Sequence, residues 1–588
     1  MSLRTKYILI LILAAACQSF SQTIQSVSVE GNKTFSSGDI IGWSGVNTGT
    51  KVTNGIIDTI KSRIAFQLAQ RGYLHSIFKG TKLVNPTDSL KVDLIISINE
   101  GKPTYINNLK FLDVDSSFNS KILPMFEYLH GQIFNKFELE NDISNALIFY
   151  ENNGYPFAKI VVSSIYFYTD TVLKEYNADV YLKFNKGIYS KIDKIEIDGN
   201  KSTKDYVITR ELRLKPGQEY SQKLIDDLPK RLNKLGFFEP VTPPEFFLNS
   251  KNQGILRIKV KERQTNNFDG VIGYIPSTGQ NQGGYLTGLV NISMQNLFGT
   301  GRAVSIKWQQ YNKYSQDLEL KYLEPWLFNY PFNFIGSMVQ RKQDSSYVQR
   351  TFQGTLEYLA TDNISASVFV STESVIPTVL TNQVFTVFNS NAVTSGINLK
   401  IDTRDDPYSP TEGILFLNSY SYSRKKIYGP QQFITPAIST NVNLQRFTLD
   451  LSGYYQLFNR QVIALGLHGR ELRGSFFEIS DLFRLGGAST LRGYSEDQFL
   501  GNRIMWTNLE YRLLLSQRTY TFAFLDTGYF LRNANSQLNV LKSEGFRIGY
   551  GVGFNVETSL GVLSVSFALA KGDSFSDGKI HFGIVNQF

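Results

Sequence analysis

One stretch near the C-terminus decides the fold of the larger part of the chain: FRIGYGVGFNVE, residues 546–557. Its even positions carry apolar side chains, whereas its odd positions carry glycine, asparagine or a charged residue. A period of two sends these two kinds of residue to opposite faces of a β-strand. The same alternation recurs at residues 463–470 and 563–570. These segments predict a large sheet with one apolar face and one small or polar face.

The alternating pattern begins at about residue 264 and continues to Phe588. A soluble sandwich also alternates, but here glycine and charge occupy the polar faces, and turn residues recur every ~10–20 residues, as in outer-membrane barrels. The terminal segment keeps its apolar positions, such as Phe582, and stops on a phenylalanine, which is typical of such barrels. At ~20 residues per strand and loop, residues 264–588 predict a transmembrane antiparallel β-barrel of about 16 strands.

A barrel in lipid must pair its first strand with its last, because the hydrocarbon offers no partner to a free backbone group. We therefore expect residues 270–275 to lie beside residues 579–588. Gly583 and Asn586 in the terminal segment are expected to weaken this seam.

The first half of the chain carries three Gly-aromatic pairs at one spacing. Gly72-Tyr73, Gly154-Tyr155 and Gly236-Phe237 follow one another at intervals of 82 residues. Each pair comes after a helix-like stretch and before a strand-like one. A glycine that ends a helix adopts a positive φ at little cost. A fixed period with a repeated stop signal predicts a tandem array of one small module.

Strand-like segments set the limits of these modules. Each module begins on an alternating segment, near Ile24, Tyr105 or Lys191, and closes on another one, which predicts the order β-α-α-β-β in about 80 residues. A generic α+β repeat without a shared role would give the same pattern. The predicted divisions are a leader at 1–21, modules at 22–101, 102–187 and 188–263, and the barrel at 264–588.

The N-terminus predicts export. Two basic residues precede an apolar run at 7–16, and Ser19–Ser21 supplies small residues for cleavage before Gln22. Lipoprotein processing at Cys17 is the alternative. Cleavage before Gln22 would leave a mature chain without cysteine, and therefore without disulfides.

Composition and motifs disfavour several function classes. The net charge of +9 is spread along the chain, apart from one basic segment at 251–263, so nucleic-acid binding is disfavoured. The chain has four histidines and no HExxH, GxSxG or P-loop pattern, so we expect neither an enzyme nor a metal or cofactor. Beyond the leader, no uninterrupted run of 18 apolar residues predicts a membrane helix.

The module order and the Gly-aromatic placement resemble the POTRA domain. The resemblance implies a periplasmic module whose helices cover one face of a small sheet and leave a strand edge accessible. A free edge exposes backbone N–H and C=O groups, to which an extended polypeptide can add as another strand.

Three barrel motifs resemble those of the BamA/TamA superfamily. One is its D-T-R-D-x-P…P-x-x-G turn, the second is the (V/L)-R-G-(F/Y) motif of its long inward loop, and the third is its F-x-D-x-G strand motif. Residues 296–301 and 508–512 are supporting matches. The residues that carry the three motifs are Asp402, Arg404, Asp405, Pro407 and Gly413 of the turn, Leu491, Arg492, Gly493 and Tyr494 of the loop, and Phe524, Asp526 and Gly528 of the strand.

The resemblance also implies partners for the loop arginine. Glu510 and Asp526 are the matching acids of the family, and we expect both to face the barrel lumen with Arg492. A guanidinium in such a place is best paired through a bidentate contact, and Gly493 lets the loop turn sharply. The simpler alternatives are a solvated arginine in a surface loop and, for residues 402–413, a charged turn that only ends a strand.

The function implied by the resemblance is assembly of proteins into the bacterial outer membrane, with the modules in the periplasm. The modules would receive unfolded outer-membrane protein clients, and the barrel seam would open sideways toward the lipids. Periplasmic tethering proteins or lipoproteins are candidate partners. A two-partner secretion transporter is the first alternative, although three modules and a strand starting at Ile24 argue against it. A passive porin or receptor barrel is the second.

Overall fold

The structure is a computed structural model, and it describes residues 22–585 apart from 85–90, 115–119, 130, 276–284, 311, 345, 379–384, 408, 437, 539 and 559–560. The predicted leader therefore lies outside the described residues, as do Asn586 and Phe588. The chain forms two compact units, and the third repeat is divided between them. The first unit runs to Lys194 and adds Pro216–Ile225 and Phe247–Ile255, and the second holds Ile195–Lys215, Asp226–Phe246 and Leu256–Phe588. Of the helices that are described, none combines the length and the apolar character that a membrane crossing requires.

The first repeat has the predicted order of elements. Its strand β1 (Thr23–Glu30) is followed by the helices α1 (Ser37–Ser44) and α2 (Ile56–Gln70), and then by the strands β2 (Ile77–Val84) and β3 (Lys91–Asn99). The sheet order is β1-β3-β2, with β1 parallel and β2 antiparallel to β3.

The core of the first repeat comes from two different periodicities. Ile60, Ile64 and Leu68 recur at helical spacing along α2 and are buried. Val92 and the alternate residues that follow it along β3 face them from the sheet. Gly72 ends the helix at φ +89°, which confirms the predicted helix stop. Gly154 and Gly236 have φ values of +87° and +72°.

The second repeat also has a helical segment between its first strand and its main helix, and this segment is described from residue 120, where α-helical residues 120–122 lead into a 3₁₀ helix. Its elements are β4 (Thr104–Leu112), a 3₁₀ helix at Leu123–Leu129, α3 (Lys136–Asn152), β5 (Lys159–Asp170) and β6 (Glu175–Asn185). Pro124 stands inside the 3₁₀ segment, and proline has no N–H to donate to the carbonyl four residues earlier. The sheet order is β4-β6-β5, so β5 is an edge strand.

The third repeat is built on a short sheet of order β10-β11-β8. Its strands have two to six residues, fewer than the strands of the other repeats, and its longer helix has 13 residues against 15 and 17. Its elements are β7 (Lys191–Ile192), β8 (Lys194–Asp198), α4 (Asp205–Leu212), β9 (Gln218–Glu219), α5 (Gln222–Lys234), β10 (Glu245–Leu248) and β11 (Gly254–Lys259).

The rest of the chain forms one antiparallel sheet of 16 strands, which confirms the predicted number. Neighbours in sequence are neighbours in the sheet, and a long loop (475–502) with a two-stranded ribbon of its own separates the eleventh strand of the sheet from the twelfth. The strands are β12 (Asn266–Ile275), β13 (Tyr285–Leu297), β14 (Arg302–Gln310), β15 (Gln316–Glu324), β16 (Phe332–Gln343), β17 (Tyr347–Leu359), β18 (Ile364–Pro377), β19 (Asn389–Asp402), β20 (Gly413–Gly429), β21 (Asn441–Phe458), β22 (Gln461–Gly474), the ribbon β23 (Phe483–Leu485) and β24 (Phe499–Gly501), β25 (Arg503–Leu514), β26 (Tyr520–Arg532), β27 (Ser543–Thr558), β28 (Gly561–Ala570) and β29 (Lys579–Val585).

The two faces of the sheet differ as the alternation predicts. On β26, Phe524 and Asp526 are 5% and 0% exposed, whereas Leu525 between them is 43% exposed. We call the face that the long loop covers the inner face and the opposite face the outer face. Large apolar side chains such as Val552 cover the outer face.

The expected seam is not paired in the part of the chain that is described. In the described residues, β12 pairs with β13 and β29 pairs with β28, but no ladder joins β12 to β29. β29 is described over seven residues, up to Val585, beyond which the chain lies outside the described residues. Closure between 270–275 and 579–588 stays a prediction.

Candidate functional site: the long loop on the inner face

The long loop returns to the inner face through a sharp local fold. Gly486 and Gly487 have φ values of +123° and +99°, and the Gly487 N–H donates to the Leu491 carbonyl. Leu491 is fully buried among apolar residues of the loop, β25 and β26. A Cβ at Gly528 would lie 3.0 Å from the Leu491 side chain, so the glycine of the strand motif makes room for the loop.

Arg492 is 7% exposed and is paired with both predicted acids. Its Nε and Nη2 donate to the two Asp526 oxygens at 2.8 and 2.7 Å, and its Nη1 donates to Glu510 at 2.7 Å. Its backbone N–H also donates to Asp526 at 3.0 Å. The guanidinium lies 3.7 Å from the centre of the Phe524 ring. These contacts exclude a solvated arginine in a surface loop.

A second arginine completes the cluster. Arg512 donates through Nε to Glu510 at 2.9 Å, and it lies on β25 two residues beyond that acid, on the same face. The cluster therefore holds two guanidinium groups and two carboxylates. This balance matters because an unpaired buried charge is strongly destabilising. Sequence reasoning assigned no role to Arg512, although its spacing from Glu510 indicated it.

Gly493 and Tyr494 extend the contact toward the end of the chain. Gly493 has φ +92°, and a Cβ there would lie 2.7 Å from the Leu569 carbonyl oxygen. The Tyr494 hydroxyl donates to the Ile548 carbonyl at 3.1 Å. The loop motif thus touches the sheet from β25 to β28 through side chains and backbone together.

The charged turn between β19 and β20 is a separate structure. Arg404 forms a bidentate pair with Asp402 at 2.8 and 2.9 Å and donates to the Pro407 carbonyl. Asp405 accepts from Thr411 N–H at 2.9 Å. Burial alone would raise the pKa of Asp405, but hydrogen bonds from Thr411 and neighbouring backbone N–H groups lower it. Gly413 closes the turn at φ +98°.

One acid of this turn reaches another turn of the sheet. The Arg518 guanidinium, between β25 and β26, donates to Asp406 at 2.9 and 3.1 Å. The turn motif therefore binds the turn between β25 and β26. In the described residues it does not contact Arg492.

A third ionic group anchors the beginning of the long loop. The Lys425 ammonium on β20 donates to Glu478 and Asp481 at 2.8 Å each, and all three side chains are about 1% exposed. Glu478 also accepts the Phe388 N–H at 2.7 Å. Sequence reasoning missed this group, because Lys425 is 53 residues from Glu478 and 56 residues from Asp481, and none of the three belongs to a motif described above.

The supporting match at 296–301 forms a turn against the third repeat, inside the second compact unit. The Asn296 amide donates to the Thr203 hydroxyl at 2.8 Å, and the Lys204 N–H donates to the Gly299 carbonyl at 2.9 Å. A nearby turn adds a bond of 2.6 Å from the Trp326 indole to Glu211 on α4. These contacts hold α4 against the turns that connect β13 to β14 and β15 to β16.

The predicted seam residues lie on the last strand. Phe582 is 68% exposed on the outer face, and a Cβ at Gly583 would meet no heavy atom within 4 Å. Within the described residues, no group of three or more His, Cys, Asp or Glu side chains is placed to hold a metal ion.

POTRA-type repeats followed by a 16-stranded sheet with an inner-face arginine loop define a class of outer-membrane protein. The family description "Omp85 superfamily domain" matches residues 296–588, and "Surface antigen variable number repeat", a POTRA description, matches 22–101 and 190–263. The chain belongs to the Omp85 superfamily, as a BamA/TamA-type member. It is an outer-membrane protein with its POTRA domains in the periplasm.

Known proteins that are similar to the chain include two relatives named as assembly factors and one solved structure. The outer membrane protein assembly factor BamA of Nitratidesulfovibrio vulgaris is 22% identical over an alignment 543 residues long, which covers 83% of this chain and 63% of that protein. A putative outer membrane protein assembly factor of Treponema pallidum is 23% identical over an alignment 326 residues long, which covers 53% of this chain and 38% of that protein. The solved structure of CdiB from Escherichia coli has a TM-score of 0.50 at 12% identity and covers 89% of this chain and 97% of CdiB. The chain spans less than two thirds of the length of the first two relatives.

Proposed function

We propose that this protein inserts other proteins into the bacterial outer membrane without catalysing a covalent reaction. The observation that carries the proposal is the match to a protein named as an assembly factor along 83% of the chain, through both the repeats and the sheet. The Arg492 cluster supports the proposal. The resemblance to the BamA/TamA superfamily implies that Arg492 pairs with Glu510 and Asp526, and Arg492 donates to both carboxylates.

The second repeat offers the best surface for an unfolded client. Its edge strand β5 has 12 residues, whereas the corresponding edge strand of the third repeat, β10, has four. Val161 and Tyr166 on β5 are 56% and 64% exposed. An extended client segment can pair with the free backbone of this edge and cover these apolar side chains.

The barrel seam is the proposed exit toward the membrane. Within the described residues β29 pairs only with β28, and it contains Gly583, which has no side chain to pack across a seam. The ion pairs of the long loop lie on β25 and β26, so they keep the interior ordered without joining β12 to β29. We propose that client strands add at this seam, beside outer-membrane lipids, and that periplasmic or lipoprotein partners deliver them.

A disulfide across the seam tests this function. In a Cys17→Ser background, Gly583→Cys is combined in turn with a cysteine at Asp269, Val271 or Gly273, which are alternate positions of β12. The full chain is reconstituted in liposomes and given an unfolded outer-membrane barrel protein. The folded client is measured by its mobility on unheated gels. Oxidation of a seam pair is expected to stop insertion, and reduction to restore it.

The matched control is a disulfide between two strands that need not part. Ile397 on β19 and Tyr420 on β20 are register partners on the outer face, 59% and 43% exposed. Oxidised Ile397→Cys/Tyr420→Cys protein is expected to insert clients normally. Insertion at the control rate by an oxidised seam variant would contradict lateral opening and favour export through the lumen, as in a two-partner secretion transporter. A steady open conductance of the wild type would favour a porin.

A further inference from the structure

The last strand of the sheet holds the backbone of the loop motif through two of its side chains. The Gly493 N–H donates to His581 Nε2 at 3.1 Å, and the Lys579 ammonium donates to the Gly493 carbonyl at 3.0 Å. Lys579 and His581 are two residues apart on β29, so both project from its inner face. We call these two residues the Gly493 clamp.

The clamp works only because the loop backbone approaches the sheet closely. Gly493 has φ +92°, and a side chain there would collide with the backbone of Leu569 and Ala570 on β28. Both polar groups of this residue are buried against the sheet and need partners. His581 and Lys579 supply them, so side chains from the beginning of β29 satisfy the backbone of the loop motif.

The clamp is also a second support for a strand that has few others. Within the described residues, β29 pairs along its backbone with β28 alone. The loop, in turn, is tied to β25 and β26 through Arg492 and its two acids. Side chains of β29 therefore connect one side of the predicted seam to the most strongly paired part of the inner face.

We infer that Lys579 and His581 are positioning residues that couple the long loop to the seam strand. While the clamp is formed, the loop holds β29 in place, and when the clamp opens, β29 is free to exchange partners. This inference rests on the proposed function only in its consequence for client insertion. The coupling between loop and strand is a property of the chain itself.

The chemistry of the clamp makes it sensitive to protonation. A neutral imidazole can accept the Gly493 N–H, whereas an imidazolium carries two N–H donors and has no lone pair to offer. The charged groups that face His581 are Arg492 of the loop, Lys579 of its own strand and Asp526 of β26. Asp573 stands 3.9 Å from Lys579. Protonation of His581 therefore opens its half of the clamp and adds a third cation to this site.

Hydrogen exchange of the full-length protein in liposomes tests the coupling. The variants are His581→Ala, His581→Gln, Lys579→Ala, Lys579→Arg and the double alanine variant, and each is first checked for a folded barrel by its mobility on unheated gels. Each alanine change is expected to lower the protection of the 579–585 amides about fivefold, the effect of one lost hydrogen bond. His581→Gln keeps an acceptor and Lys579→Arg keeps a donor, so both are expected to retain protection.

Two further arms separate the clamp from general loosening. Phe582→Ala removes a side chain from the outer face of the same strand and is expected to leave the protection of the 579–585 amides unchanged. The β20 amides are expected to keep their protection in every variant. Acidification is expected to lower the protection factor of 579–585 in the wild type and not in His581→Gln. This comparison remains informative if an alanine variant does not fold.

The outcomes also distinguish the clamp from the proposed function. Unchanged protection in the folded double variant, or equal loosening by Phe582→Ala, would overturn the coupling. Loss of protection with client insertion still at the wild-type rate would support the clamp and contradict opening at the seam. Loss of protection together with altered insertion supports both.

Discussion

The first repeat and the 16-stranded sheet use the same alternating pattern in opposite ways. On β3 of the first repeat, Leu94 and Ile96 are fully buried. On β26 of the sheet, Leu525 is 43% exposed and its neighbour Asp526 is fully buried. The apolar half of the pattern therefore points to a protein core in one region and to the outer face in the other.

The difference follows from what covers each sheet. Helix α2 supplies an apolar stripe that covers the sheet of the first repeat, so the apolar side chains are removed from water by protein. In the large sheet the apolar side chains cover the outer face and are suited to lipid, while charged residues meet on the inner face and must pair. Stability in the repeat thus depends on packing, and order on the inner face depends on ion pairs.

Removal of Arg492 is expected to have the largest effect. Arg492→Ala leaves Asp526 buried without its guanidinium, which costs about 3–5 kcal/mol. We expect the long loop to leave the inner face while the barrel still forms. Limited proteolysis of residues 475–502, compared with gel mobility of the barrel, measures this. Arg492→Lys is expected to rescue poorly, since an ammonium cannot make the bidentate contact.

Arg503 provides the matched control for this change. Its Nε pairs with Glu471 at 2.9 Å, but its side chain is 54% exposed. An exposed pair contributes about 0–1 kcal/mol, so Arg503→Ala is expected to leave the loop protected. A fully ordered and active Arg492→Lys variant would show that the bidentate geometry is not required.

A core truncation in the repeat is expected to have the next largest effect. Ile64→Ala empties a fully buried site and is expected to cost about 2–5 kcal/mol. Leu525→Ala removes a half-exposed side chain from the outer face and is expected to cost about 1 kcal/mol or less. Hydrogen exchange of the two regions in the full chain compares them. Equal losses would contradict the difference in burial.

Two glycines of the first repeat separate a steric clash from backbone strain. Gly72 and Gly49 share a φ of +89°, but a Cβ at Gly72 would lie 2.3 Å from the Phe134 carbonyl oxygen, whereas Gly49 has nothing within 4 Å. Gly49→Ala is expected to cost about 1–2 kcal/mol from conformation alone. Gly72→Ala is expected to cost more than that, as measured by protection of the α2 amides. Similar values for the two would show that the contact can relax.

The smallest expected effect is a loss of stability in acid. Glu100 is 3% exposed and accepts backbone N–H groups of Lys33, Thr34 and Phe35 at 2.7–3.1 Å. Burial raises its pKa, but these hydrogen bonds outweigh burial and lower the pKa below 4.5. A lowered folded pKa stabilises the repeat above the unfolded pKa, and this contribution is lost as pH falls through the folded value.

Exchange of the 33–35 amides as pH falls below ~4.3, the ordinary glutamate pKa, measures this contribution. Glu100→Gln is expected to cost about 1 kcal/mol at neutral pH and to remove the acid dependence. The second repeat is the internal control, because Lys186 stands where the first repeat has Glu100. Acid loosening of both repeats to the same degree would contradict a role for this carboxylate.

Local signals predicted the repeats well because each signal acts over a few residues. The helix stop at Gly72 needs only its own φ and the preceding turn, and it was visible in the spacing of the three glycines. The predicted order did not specify that the helical residues 120–122 of the second repeat continue as a 3₁₀ helix, although Pro124 marks that change. The carboxylate of Glu100 was also missed, because its partners are 65–67 residues away.

The inner-face cluster was predicted only in part. Alternation and the family resemblance named Arg492, Glu510 and Asp526 as a group, whereas Arg512 and the Lys425 group came from the structure. No periodicity relates residues on different strands, because their distance depends on the register of every strand between them. The roles of the turn at 402–413 and of the seam remain proposals.

Composition, alternation and the glycine period by themselves determined three α+β repeats followed by a large antiparallel sheet, because strand period and helix stop are local properties of the chain. Tertiary structure decided which backbone and side-chain groups meet on the inner face. Gly493 and His581 lie 88 residues apart and become hydrogen-bond partners only when the long loop folds back on the sheet. Such contacts depend on strand register and loop return together, and neither is encoded in any single segment.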